Sequence, residues 1–306
     1  MEAEKGYSER RACRLVAQPR MTERYQMVSR ERDLALRRRI LALAGKHPRY
    51  GYRMVTRLLR REGWQVNRKR VHRIWRREGL QVPVVAHKKR RLGHGENGVS
   101  RRRPEYVGHV WGLDFLHDET EDGRPFRCFV VLEEFSRFNL ALEVRRSFRS
   151  VDVIPVLEEL VRKYGLPAFI RCDSGPEFIA KALRRWLREK GVEVLYIEPG
   201  SPWENGYTES FNGTLRNELL DREVFASLIE AKLLALEYRD TYNHERPHSA
   251  LGDLTPAEYM ARHGRRKGDW AKSGEGTEID AQNRPVTNAL GSGIHLSTPE
   301  ITVGLS

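Results

Sequence analysis

The chain has 306 residues, is 39% hydrophobic and carries a net charge of +13. That length suits one large domain or two to three small ones, with enough apolar residues for a packed core. No apolar run reaches bilayer length, and Met1 is followed by charged residues rather than by the apolar core of a secretory signal. Cys13, Cys128 and Cys172 are odd in number and widely spaced, which excludes a disulfide framework or a zinc pattern. The expectation is a soluble protein of a reducing cytoplasm, without membrane contact.

Charge is unevenly placed. Residues 1–103 hold 30 Lys and Arg against 9 Asp and Glu, a net of +21, while the remainder holds 25 against 33, a net of −8. A basic first third joined to a mildly acidic remainder points to polyanion capture by one part and different work in the other. Nonspecific nucleic-acid affinity would explain the charge but not the acids described below.

Residues 8–26 read as two short helices around Pro19, with Ser8 and Thr22 as N-caps. Residues 29–80 read as three helices. The first, from about Ser29 to Ala44, sets Leu34, Ile40, Leu41 and Leu43 among arginines and ends at Gly45 and Pro48. The second, about Tyr52 to Arg61, has Val55, Leu58 and Leu59 at helical spacing. After the turn G-W-Q-V, a third helix starts at Asn67, a good N-cap, and buries Val71, Ile74 and Trp75. Its other face carries Arg68, Lys69, His72, Arg73 and Arg76. Helix, Gly-containing turn and basic helix form the helix-turn-helix pattern, and these five residues are the expected DNA contacts. An ordinary three-helix bundle with a solvated charged face is the plainer reading. Residues 82–104, with basic clusters, glycines and two prolines, read as a linker that is mobile alone and ordered along phosphates when DNA is bound.

From Val107 the pattern changes. Val110–Leu116, Phe126–Glu133 and Phe138–Val144 read as three antiparallel strands. A helix from about Val151 to Lys163, a strand Ala168–Cys172, a helix Glu177–Lys190 and a strand Val192–Ile197 follow. Three strands and then alternating helix and strand describe an α/β mixed five-stranded sheet with flanking helices. A loop from Pro199 to about Asn205 is expected before a helix beginning at Gly206, because Gly206 weakens a helix begun at Ser201. A helix over 227–242, with Ile229, Leu233, Leu234, Leu236 and Tyr238, and a capped turn T-P-A-E-Y come next. Beyond about Gly264 the sequence is polar, Gly-rich and aperiodic, which predicts disorder.

Three carboxylates stand out. Asp114 lies inside V-W-G-L-D-F-L, Asp173 follows the apolar run Ala168–Ile170, and Glu209 falls on the helix after Gly206. Acids delivered by two strands and a helix can converge on hard divalent cations, which prefer oxygen ligands. Arg216, seven residues after Glu209, lies on the same helical face and is a candidate phosphate contact or surface ion pair. Trp203 could stack on a terminal base or anchor its loop. Arg246 and His248 could touch DNA or pack a C-terminal turn. Any one such acid would ordinarily be a solvated charge; three at these positions favour a metal site.

The chain resembles the integrase-type transposases of bacterial insertion sequences, specifically the catalytic product of the second reading frame, within the retroviral integrase superfamily. The matching pieces are H-P-R-Y-G-Y-R before the basic helix, W-x-x-D-F at Asp114, D-x-G-P-E-F at Asp173 and S-P-W-E-N-G-Y-x-E-S-F-N at Glu209. Arg216 and Y-N-x-x-R-P-H-x-A-L-G near Asn243 also match, so that the resemblance covers about residues 5 to 262. Ser174 stands where such proteins commonly have Asn, and Glu133 or Glu134 where an Asp often follows the second strand.

The resemblance implies a ribonuclease H-like core in residues 105–262 with a C-terminal helical subdomain. A helix-turn-helix domain at 29–81, an arm at 1–28, a basic linker at 82–104 and a tail at 263–306 complete the expected organisation. It implies a metal-dependent DNA transposase, a polynucleotidyl transferase with Asp114, Asp173 and Glu209 as catalytic residues and metal ligands. The cofactor would be two Mg2+ ions per site, with Mn2+ able to substitute. Two ions about 3.5–4 Å apart can activate a nucleophilic oxygen and stabilise a leaving one. Implied partners are element-end and target DNA, further copies of the chain on DNA, and an upstream-frame protein or frameshift fusion, in a nucleoid-associated setting. The alternatives are a nuclease of the same fold and a catalytically inert DNA-binding repressor.

Overall fold

The computed structural model describes residues 8–24, 30–82, 102–197 and 202–264. Residues 83–101 of the expected linker (82–104), residues 199–201 of the expected loop (199–205) and the tail after Gly264 lie outside the described residues. Helices α1 (Glu9–Leu15) and α2 (Arg20–Glu23) flank Pro19, which caps α2 in place of the expected Thr22. Proline can hold that position because it fixes an extended entry to the helix. Glu9 accepts from Arg20 and Arg24 at 2.7 to 2.9 Å and ties the two helices together.

Helices α3 (Arg30–Lys46), α4 (Tyr52–Arg61) and α5 (Arg68–Arg77) form the helical unit. Its core takes Leu36, Ile40 and Leu43 from α3, with Val55, Leu59, Val71, Ile74 and Trp75. Leu34 and Leu41, expected among the apolar positions of α3, are exposed. Leu36, Ile40 and Leu43 hold the i, i+4, i+7 stripe, and the other two point away from it. The Asn67 side chain accepts from Lys69 N at 2.9 Å, which starts α5 as expected.

The sheet is built from β1 (Val110–Glu119), β2 (Pro125–Glu133), β3 (Asn139–Arg145), β4 (Phe169–Cys172) and β5 (Glu193–Tyr196). The strand order is β3-β2-β1-β4-β5; β1 and β3 pair antiparallel with β2, and β4 lies parallel to β1 and β5. This is the expected mixed sheet. Both faces are covered, so β2 reads as the apolar run F-V-V-L rather than as an alternation. Phe129 and Val131 meet α6 (Ser150–Tyr164), α7 (Pro176–Ile179) and α8 (Lys181–Glu189). Cys128, Val130 and Leu132 meet α9 (Gly206–Leu215), a π-helical turn (Arg216–Leu220) and α10 (Leu228–His244).

Three helices depart from expectation. The segment expected over Glu177–Lys190 is broken at Ala180, whose ψ of 137° is extended, giving α7 and α8. On α10 the buried positions are Ala231, Ala235, Tyr238 and Tyr242, whereas Ile229, Leu233 and Leu236 are exposed. The small alanines let α10 lie close to β3. The capped turn at Thr255 extends into α11 (Pro256–Arg262) with a complete capping box.

The helical unit contacts residues 245–258 through charge pairs. Lys46 meets Glu245 at 2.6 Å, Arg57 meets Asp253 at 2.7 Å, and Arg61 holds Glu258 with two bonds of 2.6 and 2.8 Å. Arg246 is bidentate to Glu218 at 2.9 to 3.1 Å, and the His248 ring meets Tyr242 edge-on. Of the two roles considered for R-P-H, the geometry is that of packing.

Candidate functional site

Asp114 stands midway along β1, the central strand, and is half-buried. Gly112 pairs with Arg171 in the parallel β1–β4 ladder. Two residues further in the same register, Asp114 comes level with Asp173, which leaves the sheet just after β4. Glu209 is the fourth residue of α9, which crosses β1. Helix α9 begins at Gly206 as expected, and Pro202–Asn205 before it is a 3-10 turn rather than open loop.

Burial lifts the Asp114 carboxyl to about 6, and the charges of Asp173 and Glu209 add to the rise. Hydrogen bonds from Phe115 N at 2.8 Å and Asn212 Nδ2 at 2.7 Å oppose it. Asp114 therefore senses both other acids, and a divalent cation between them would favour its charged form. Among the described residues, no three acid, His or Cys side chains close around one point. The reason is visible locally. Asp173 turns back to accept from Gly175 N at 3.0 Å, and Asp114 is held by Asn212. Like charges gain by separating and taking local donors. The donor set itself, all carboxylate oxygens, fits magnesium.

Support for this arrangement comes from buried groups. An added Cβ at Gly112 would stand 2.2 Å from Thr208 Oγ1, so only glycine admits α9 this close to β1 at the residue before Glu209. Arg171, next but one to Asp173, is 3% exposed. Its Nε stands 3.1 Å from Glu134 Oε1, and its two terminal nitrogens donate to Glu204 O and Arg102 O, both at 2.7 Å. One guanidinium thus joins β4, the turn after β2, the approach to α9 and the chain entering the sheet. Glu133, fully buried, accepts from Gly108 N at 3.1 Å and from Ser136 N at 2.7 Å.

On α5, Arg68, Lys69, Arg73 and Arg76 are exposed together, and Lys69, His72, Arg73, Arg76 and Arg77 line one shallow groove. His72 is half-buried with its ring 4.3 Å from Tyr52.

Comparison with known proteins bears on both regions. A family described as HTH-like domain matches residues 31–90, and two described as integrase core domain match residues 104–202 and 190–256. A protein of insertion element IS407 from Burkholderia multivorans is 36% identical over 256 residues, covering 84% of this chain and 91% of its own length. Transposase InsD of insertion element IS2D from Escherichia coli is 32% identical, over 72% of this chain and 77% of its own. The chain belongs to the insertion-element transposases with an integrase core domain. A looser likeness is to the HTLV-2 integrase catalytic core domain solved with magnesium. It has a TM-score of 0.42 and 18% identity, and covers 51% of this chain and 99% of that one.

For a transposase of this kind the remaining residues fall as follows. Arg216 is exposed at the start of the π-helical turn, with Nη2 3.5 Å from His117 O on β1, rather than paired with an acid. The Trp203 side chain lies outside the described residues. The sequence reading missed Gly112, Thr208, Arg171 and Asn212. The signal at Gly112 was a glycine inside a strand pattern, which often marks close backbone approach.

Proposed function

We propose that this transposase binds the ends of its element through α5 and cuts and joins DNA strands at Asp114, Asp173 and Glu209. Most directly, Asp114 is half-buried on the central strand and electrostatically coupled to both other acids. In this reading the three carboxylates hold two Mg2+ ions, for which Mn2+ can substitute. Bound there, the ions would activate an attacking oxygen and stabilise a leaving one. The chain's own contribution is placement. Asn212 fixes the Asp114 carboxylate, Gly112 and Thr208 set the height of α9, and Arg171 holds the approach to α9. Arg68, Lys69, His72, Arg73 and Arg76 take the element end, with Arg216 and Trp203 near the reacting strand.

Among the described residues no helix is long and apolar enough to cross a membrane. We place the protein in the bacterial cytoplasm on nucleoid DNA, acting as an oligomer and receiving an upstream-frame segment by frameshifting. The domain limits proposed are those of the sequence reading: arm 1–28, helix-turn-helix 29–81, linker 82–104, catalytic core 105–262 and tail 263–306. The test is incubation of the purified chain with labelled element-end duplex and magnesium. Nicking at the end followed by joining to a second duplex is expected. Nicking without joining would indicate a nuclease, and end binding without nicking a repressor.

A further inference from the structure

We propose that the outward face of α8, with Lys190 just beyond it, is a second DNA-contact surface that holds the target duplex by its phosphates. The proposal rests on the transposase reading above and assigns a place to the second DNA partner.

Helix α8 buries Leu183, Trp186 and Leu187 against the sheet. Its other side exposes Lys181, Arg184, Arg185 and Arg188, followed by exposed Lys190. Between Lys181 and Lys190 the only acid is Glu189. None of the five cations makes an ion pair among the described residues. Several other arginines of the core are held by acids: Arg127 by Glu177, Arg145 and Arg149 by Asp152, Arg246 by Glu218. A merely solvated face has no reason to select one sign, and this one is basic inside a region whose net charge is −8. What sets α8 apart is that five such cations lie together on one exposed face of an acidic domain.

The position connects this face to the catalytic edge. Strands β4 and β5 are parallel, so the helix between them runs back against their direction. Its first residues therefore stand beside the end of β4, where Asp173 emerges. Tyr196, in register with Cys172, is 38% exposed on the same edge. Burial raises its phenol, and the positive charge of Arg184 opposes that rise. Lys181 and Lys190 are separated by about 13 Å of helix rise, roughly four steps along one DNA strand at about 3.4 Å each.

The chemistry selects the kind of partner. Long exposed Lys and Arg side chains suit phosphates, whose contacts position a duplex without carrying sequence information, and what separates this face from α5 is its place beside the catalytic edge. An element end must be recognised, and α5 is placed for that. A target duplex needs to be held beside the catalytic edge without being read.

The test uses the full chain, without metal, saturated with unlabelled element-end duplex. Capture of a labelled unrelated duplex is followed by anisotropy across a salt series. The variant Lys181→Gln/Arg184→Gln/Arg185→Gln/Arg188→Gln should bind the end within about twofold of the parent. It should capture the second duplex at least tenfold more weakly, with a salt slope shallower by roughly 3 to 4 units, since each phosphate contact contributes about 0.9. Arg184→Lys/Arg185→Lys/Arg188→Lys should restore capture, which a loss of folding would not allow. Unchanged capture in the glutamine variant overturns the proposal. An equal loss of end binding also overturns it, because the face would then hold the element's own DNA. Absence of specific end binding by the parent chain would instead sink the transposase reading.

Discussion

In the helical unit the cations of α5 sit on one exposed face of one continuous helix. In the sheet, 58 residues separate Asp114 from Asp173 and 35 separate Asp173 from Glu209. The first arrangement follows once the helix forms, and long exposed side chains can shift to meet a phosphate. The second depends on strand register and on the height of α9 over β1. Placement errors of about 1 Å can cost on the order of 100-fold in rate. That difference explains where buried polar groups collect. The helical unit buries Thr56, whereas the sheet region buries Glu133, Glu134, Asn139, Arg171, Glu204, Asn205 and Thr208.

The largest effect that would break this contrast is at the acids. Asp114→Asn, Asp173→Asn or Glu209→Gln should each reduce magnesium-dependent nicking by about 1,000-fold or more, several kcal/mol of barrier. End binding should stay within about twofold. Substantial nicking by any one variant at matched magnesium would remove that residue from the site.

Next in size is Arg171→Gln, which takes from Glu134 the buried partner 3.1 Å away. Breaking such a pair costs about 3–5 kcal/mol, read as a lower denaturant midpoint. Adding Glu134→Gln should recover part of it. A loss under about 1 kcal/mol would show that the pair behaves as a surface one.

Gly112→Ala sharpens the comparison, because it tests placement alone. Overpacking should cost about 1–3 kcal/mol, and nicking should fall by roughly 100-fold as α9 is displaced. Thr208→Ala in the same chain removes the oxygen 2.2 Å from the new Cβ and should restore most of the rate. Failure of that rescue would argue against the contact as the cause.

The smallest effect is expected where the two regions meet. Arg61→Ala breaks a pair with Glu258 that is partly open to solvent. The expected change is about 1 kcal/mol or less, visible as slightly faster proteolysis between the two regions.

Much of this was legible in the sequence, for reasons that differ by element. The five strands followed from apolar runs, the start of α5 from the Asn67 cap, and the start of α9 from the helix-weakening Gly206. The buried stripe of α10 was not evident from apolar type, because Ala231 and Ala235 are buried while Leu233 and Leu236 are exposed. The break at Ala180 carries no proline or glycine, and only the packing of α7 and α8 separates them. The acids could be picked out as motifs, but their supports could not. Nothing local marks Arg171 as buried, because its burial depends on Glu134, Glu204 and Arg102 arriving from three other segments. The basic face of α8 was hidden by averaging, since the core's net charge of −8 conceals a local excess of cations.

The central claim is that α5 reads the element end and the three acids act on it. One measurement addresses it: the single-turnover nicking rate of a labelled end duplex, with bound fraction, as protein concentration is raised. Arg68→Gln/Lys69→Gln/Arg76→Gln should move the midpoint to higher concentration and leave the plateau rate near that of the parent. Asp114→Asn should bind with the parental midpoint and show no plateau above background. A lowered plateau with an unmoved midpoint in the α5 variant, or weakened binding in Asp114→Asn, would contradict this division.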